Sequence, residues 1–184
     1  MKRKWIAAAL CLIVLISAVS SASALQGFNE IRVNGNLRLP VYSAPSTSSW
    51  RGANGKALCN TNGRIAVAGQ EGGWVLIAYE LTNGMYAGSY RVGYVHYHEL
   101  KGLQTTIPPL HFKYQPARII AGCSLTDDPM GYGETITSLS PGTTVTYLMG
   151  YENEQGIRYA YIETSVGWQT ARGFVRYDCV QVNT

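Results

Sequence analysis

Beyond residue 24 the chain alternates short apolar runs with glycine- and asparagine-rich breaks, and no stretch holds a helical period over ten residues. In the first half the runs are Arg38–Ser43, Lys56–Cys59, Arg64–Gly69, Trp74–Glu80 and Ser89–Tyr97. All are short and rich in Val, Ile, Leu and Tyr, the composition of strands. Asn34-Gly35, Asn54-Gly55, Asn62-Gly63 and Asn83-Gly84 separate them. Asn-Gly accepts the positive φ angles of two-residue hairpin turns, so these pairs are expected at strand ends. The second half repeats the layout with Arg118–Cys123, Glu134–Leu139, Thr143–Leu148, Ile157–Glu163 and Gln169–Tyr177, with turns at Pro141-Gly142 and Asn153–Gly156. The pattern predicts an all-β protein.

The halves are related. Arg91-Val92-Gly93-Tyr94-Val95 and Ala171-Arg172-Gly173-Phe174-Val175 are two copies of a strand closing on Gly-aromatic-Val, 80 residues apart. A repeat of that kind means one small β unit used twice. Between them, the stretch 101–117 carries Pro108, Pro109 and Pro116, which oppose sheet pairing and stiffen a connection. Leu110, Phe112 and Tyr114 alternate there, so this connector is expected to be ordered and to cover a surface.

The first 24 residues stand apart from this pattern. Lys2, Arg3 and Lys4 precede an uncharged apolar run, Trp5–Val19, and Ala22-Ser23-Ala24 supplies small residues for cleavage. This is the layout of an export signal, and the run is shorter than the ~20 residues of a membrane span. Removing it changes the charge: the formal +4 falls to 12 Lys+Arg against 11 Asp+Glu. With no basic cluster left, nucleic acid is not expected as a partner, and no membrane association is expected after cleavage.

The first half resembles a bacterial SH3 domain, a small barrel attached to many secreted cell-wall proteins. Leu37-Arg38-Leu39-Pro40-Val41-Tyr42-Ser43-Ala44-Pro45-Ser46 matches the family's opening strand and Pro-Ser turn. Gly72-Gly73-Trp74-Val75-Leu76-Ile77 matches its central Gly-Trp strand, and Arg91–Val95 with Glu99-Leu100 its closing segment. The second half keeps Arg172-Gly173-Phe174-Val175 and Pro141-Gly142-Thr143-Thr144-Val145 but lacks the Pro-Ser turn and the Gly-Trp pair. The resemblance implies two small SH3-like barrels in tandem: residues 25–101, a connector at 102–116, and a divergent second domain at 117–184. It also implies a secreted, cell-wall-associated monomer whose ligand is peptidoglycan or its peptides. A protein-binding role, as scaffold or inhibitor of a secreted hydrolase, is the alternative.

Modules near 60 residues have marginal cores, and outside the cell a disulfide can compensate. Of Cys59, Cys123 and Cys179, the last two fall on the first and last strands of the second module. Because the resemblance brings those strands together, it implies a Cys123–Cys179 bridge, with Cys59 a small buried core residue.

The residues offer little for catalysis. None of the three cysteines has a glycine-rich or helix-terminal context beside His96, His98 or His111, and the chain lacks the further residues of the peptidase domains that accompany such modules. His96 and His98 would share a strand face, but a metal site needs a third ligand, and Asp127-Asp128 before Pro129 is ordinary turn chemistry. No enzyme activity, metal or cofactor is expected. The aromatics carry the remaining signal. Tyr42, Trp50, Trp74, Tyr90 and Tyr94 fall in the segments that frame an SH3-type groove and are the expected ligand-binding residues. Trp50, in the serine-rich loop Ser46–Gly52, is expected to be the most exposed.

Overall fold

The computed structural model describes residues 27–100, 106–130 and 133–183. The expected export signal lies outside these residues. The protein is all-β: among the described residues, helix is confined to single 3-10 turns at Tyr97–Glu99 and Tyr177–Cys179.

The first half contains β1 (Asn29–Ile31), β2 (Arg38–Pro40), β3 (Leu58–Asn60), β4 (Ile65–Glu71), β5 (Trp74–Glu80) and β6 (Tyr90–His96). The second contains β7 (Gln115–Ile119), β8 (Cys123–Thr126), β9 (Thr135–Leu139), β10 (Thr144–Glu152), β11 (Arg158–Val166), β12 (Gln169–Arg176) and β13 (Val180–Val182). All strand pairings are antiparallel, in the orders β1-β4-β5-β6, β2-β3 and β13-β7-β10-β11-β12-β8-β9. None of these sheets closes into a barrel.

The sequence repeat is a structural repeat, strand for strand. Ladder β1-β4-β5-β6 has its counterpart in β7-β10-β11-β12, and pair β2-β3 in β8-β9. One irregularity coincides as well: a register shift lies between Val67 and Gly69 in β4 and between Tyr147 and Met149 in β10. In each half the strand after the opening run crosses the Gly-aromatic pair, through Tyr42 opposite Tyr94 and Thr126 opposite Phe174. That crossing explains the motif. A Cβ on Gly93 would lie 2.5 Å from Val41 Cγ1 and 3.0 Å from the Tyr42 carbonyl oxygen, and one on Gly173 would lie 2.5 Å from the Thr126 carbonyl oxygen. Only glycine leaves room for the passing backbone.

The turn signals behave differently from expectation. The four Asn-Gly pairs do fall between strands, but none is a two-residue hairpin turn, because no asparagine there has positive φ. The tight hairpins are Gly72-Gly73, joining β4 to β5, and Gly167-Trp168, joining β11 to β12; Gly72 and Gly167 have φ of +58° and +60°.

Each half has its own core. Leu39, Val41, Cys59, Val75, Ile77 and Val95 lie at the centre of the first, and Ile119, Leu125, Val145, Ala160, Ile162 and Val175 at that of the second. A third core lies between the halves. It is made of Phe28, Ala66, Leu76, Ala78, Val92 and Tyr94 from the first and Leu148, Tyr151, Tyr161 and Phe174 from the second. Successive residues of β5 therefore alternate between two interiors: Val75, Ile77 and Tyr79 face inward, while Leu76 and Ala78 face the other half. The connector joins this middle layer. Leu110 and Phe112 pack against it, the Gln70 and Leu110 amides donate to the Pro108 and Gln70 carbonyls, and the Lys113 amide donates to the Leu148 carbonyl.

Two arginines lock the halves. Arg172 is 5% exposed. Its guanidinium donates to Glu71 at 2.6 Å, Glu163 at 2.7 Å and the Tyr94 hydroxyl at 2.8 Å, with the Phe112 and Tyr114 rings beside it. Burial alone would raise the Glu71 carboxyl, but hydrogen bonds from Arg172 and Tyr114 outweigh it and hold Glu71 below its ordinary value. On the other side Arg91 donates to Asp127 and Glu134, both at 2.8 Å. There burial prevails over the attraction of Arg91, and with Asp128 alongside it pushes Asp127 up to about 7.

The three cysteines among the described residues are free thiols; Cys123 opens β8, while Cys179 stands in the 3-10 turn Tyr177–Cys179 and not on a strand, both partly exposed. Cys59 is buried in the first core, where desolvation pushes its thiol up to about 12. In an oxidising compartment a disulfide-bearing oxidant would take two electrons from the Cys123–Cys179 pair as its two protons leave. A bridge closing so long a loop is expected to add roughly 4 kcal/mol. Mass mapping of a non-reduced digest should find Cys123 linked to Cys179. Cys123→Ser should then lower stability by about that amount without reductant and by much less with it. A bridge through Cys59 would contradict this expectation.

Candidate functional site

The five expected ligand-binding aromatics do not assemble into one groove. Tyr94 has no exposed surface; its ring lies in the middle core and its hydroxyl accepts from Arg172. Trp50 is not the exposed anchor that its serine-rich loop suggests. It is partly buried against the core of the second half, and its amide donates to the Thr170 carbonyl at 3.1 Å. The loop is short of core in its own module, but the neighbouring module supplies one. Tyr90 pairs with Glu80, at the opposite end of the β5-β6 ladder from Trp74, which pairs with His96. Six residues of strand put Tyr90 about 20 Å from Trp74.

Tyr42 and Trp74 do come together, and three side chains extend their contact into a row. The Arg51 guanidinium sits 4.6 Å from the Tyr42 ring centre. Tyr42 meets Trp74 edge-on at 5.1 Å, Trp74 meets His96 at 5.0 Å, and His96 meets His98 at 4.1 Å. Tyr42, Trp74, Arg51 and His96 are half-buried and His98 is exposed, so each ring has packed atoms on one side and water on another. Such contacts between rings, and between a cation and a ring, favour defined geometries.

Local structure explains the row. The Gly72-Gly73 turn places Trp74 first on β5, directly across from His96. A Cβ on Gly73 would approach His96 Cε1 to 3.4 Å, so the glycine leaves that ring its place. The 3-10 turn after β6 brings His98 back beside His96, with its Nε2 3.1 Å from Glu99 Oε1. Arg51 is held from behind, its guanidinium donating to the Val41 and Ala57 carbonyls. Next to Arg51 the surface opens into a groove of about 330 Å³ lined by Gly52, Lys56, Tyr79, Arg91 and Glu134.

The row offers stacking faces, one fixed cation and two imidazoles. Among the described residues no group of three His, Cys, Asp or Glu could hold a metal ion. No hydrogen bond joins His96, His98 or His111 to a cysteine there, and burial raises all three thiols, against thiolate formation. His96 and His98 were legible in the sequence as a same-face pair, but their partnership with Trp74 depends on the β5-β6 register. Arg51 carried no sequence signal, because it reaches Tyr42 across a loop.

No family model matches the chain, and no curated protein matches it. Among solved structures, that of Ly7917 with the hydrolyzing product of MDP aligns at 12% identity and a TM-score of 0.29. The alignment covers 82% of this chain and spans 61% of the length of that one. A likeness at that level does not inform fold or activity.

Proposed function

We propose that the repeated six-strand unit is a bacterial SH3-like module, and that the protein is secreted and binds cell-wall peptidoglycan or its peptides without chemistry of its own. The observation that carries this reading is the row Arg51–Tyr42–Trp74–His96–His98. An extended peptide gains most from flat apolar faces in a shallow groove, with a few polar groups to fix its direction. Tyr42 and Trp74 supply the faces. Arg51 at one end suits a carboxylate, and the imidazoles at the other suit amide and carbonyl groups. The motifs of the resembled family, the Pro-Ser turn and the Gly-Trp strand, are the segments that carry Tyr42 and Trp74, which supports the same ligand class.

The test is sedimentation of the full secreted chain with purified peptidoglycan, followed by titration with soluble wall peptides. Tyr42→Ala is expected to cost ~1–2 kcal/mol of binding, a loss of roughly 5- to 30-fold. Trp50→Ala should leave binding unchanged but lower the melting temperature, because its ring serves the contact between halves. If the chain does not sediment, or sediments equally without Tyr42 and Trp74, the reading fails and a protein partner takes its place.

A further inference from the structure

Trp168 plays no part in that row, in any core or in either arginine cluster. It is fully exposed, at 104% of its reference surface. Its hairpin turn needs glycine at position 167, where φ is +60°, but makes no demand for an indole at 168. An indole left in water forgoes the favourable free energy that burying its large apolar surface would give. The support beneath it is packed and hydrogen-bonded. Val166 and Trp50 both pack against the second core, and the Gln169 side-chain amide donates to the Ser48 and Ser49 carbonyls at 3.2 and 3.4 Å. The hairpin tip is thereby tied to the serine-rich loop of the other half.

The two segments that meet at the tip are uncharged. Residues 164–171 and 43–50, the two segments that meet there, contain no Asp, Glu, Lys, Arg or His. Their polar side chains are hydroxyl and amide: Ser46, Ser48, Ser165, Gln169 and Thr170, of which Ser46 and Ser48 share a hydrogen bond, Gln169 spans to the serine loop, and Ser48, Ser165, Gln169 and Thr170 are exposed. A single-stranded nucleic acid would need cations along its backbone, and an anionic membrane surface would need basic residues or a wider apolar face. An uncharged ligand rich in hydroxyls needs neither. A pyranose ring has one apolar C–H face and a rim of hydroxyls, which matches an exposed indole set among uncharged donors and acceptors.

We propose that the β11–β12 hairpin tip is a glycan site, in which Trp168 stacks on a pyranose ring of an uncharged oligosaccharide and the neighbouring hydroxyl and amide side chains contact its rim. The site is separate from the Tyr42–Trp74 row and does not depend on it. The test titrates the full secreted chain with tetramers of β-1,4-linked N-acetylglucosamine and of β-1,4-linked glucose, followed by calorimetry and indole fluorescence. At least one sugar should bind and perturb indole emission. Trp168→Ala should weaken it tenfold or more at an unchanged melting temperature, Trp168→Phe should keep part of it, and Trp74→Ala should leave it intact. Binding of neither sugar, or binding indifferent to Trp168→Ala, overturns the proposal. So does Trp168-dependent association with phosphatidylcholine–phosphatidylglycerol vesicles in the absence of sugar binding. The sugars carry no peptide and the wall peptides no sugar, so failure of one site is distinguishable from failure of the other.

Discussion

Replacing Arg172 with alanine is expected to cost about 3 kcal/mol of stability, among the larger effects a single substitution can have here. The guanidinium is buried, and its removal strands Glu71 and Glu163 beside the middle core, where among the described residues no other cation forms an ion pair with them. Both carboxylates keep roughly a quarter of their side-chain surface in water, so the cost falls at the lower end of the range for broken buried ion pairs. For a chain of this size a loss of 3 kcal/mol lowers the melting temperature by ~6–12 °C, which calorimetry resolves. The pH dependence adds a second readout. Glu71 is held below its ordinary value of 4.5, so its contribution is present above that pH and is lost as the pH falls through its lower folded value. Arg172→Ala should flatten this acid limb. Should the variant melt within a degree or two of the parent, the lock between the halves lies elsewhere.

Separating the halves is expected to have a larger effect still. A first half produced alone would expose Leu76, Ala78, Val92 and Tyr94, and a second half alone would expose Leu148, Tyr151, Tyr161 and Phe174. A module of that size has little stability to spare, and so large an apolar face drives aggregation. Neither fragment should give a cooperative, soluble fold, whereas the whole chain should unfold in one transition by fluorescence and circular dichroism together. Two separate transitions in the whole chain, or a soluble isolated half, would show that the middle core is dispensable. Binding tests therefore belong on the intact protein.

Most of the local structure is legible from the pattern of residues. The run Trp74–Glu80 is a strand over its whole predicted length, and Arg64–Gly69, Glu134–Leu139 and Gln169–Tyr177 differ from theirs by only a residue or two at the ends. Short apolar runs rich in β-branched and aromatic residues and bounded by turn residues leave few alternatives, because they are too short for a helix of ordinary length. β1 and β13, three residues each and without such a run, gave no comparable signal. Asn-Gly located the breaks between strands but misled about their geometry. At Gly35, Gly55 and Gly84 a positive φ at glycine alone, with asparagine in an ordinary conformation, serves longer loops, and Gly63 does without it.

The candidate site divides the same way. Glycine at 93 and 173 was legible as a repeated motif, and its cause is a strand from far along the chain that crosses there and tolerates no Cβ. Which aromatics meet solvent is not determined locally. Trp50 and Tyr94 look alike in sequence to Tyr42 and Trp74, and only the packing of one half on the other buries Tyr94 and seats Trp50 against the second core, while Tyr42 and Trp74 meet each other. One clue was present: Val75-Leu76-Ile77-Ala78-Tyr79 is apolar at every position, as expected of a strand covered on both faces. The pattern records that a second surface must cover β5. It does not record that the surface is the protein's own repeat, because a strand's periodicity encodes which faces are dry and carries no information about what lies against them.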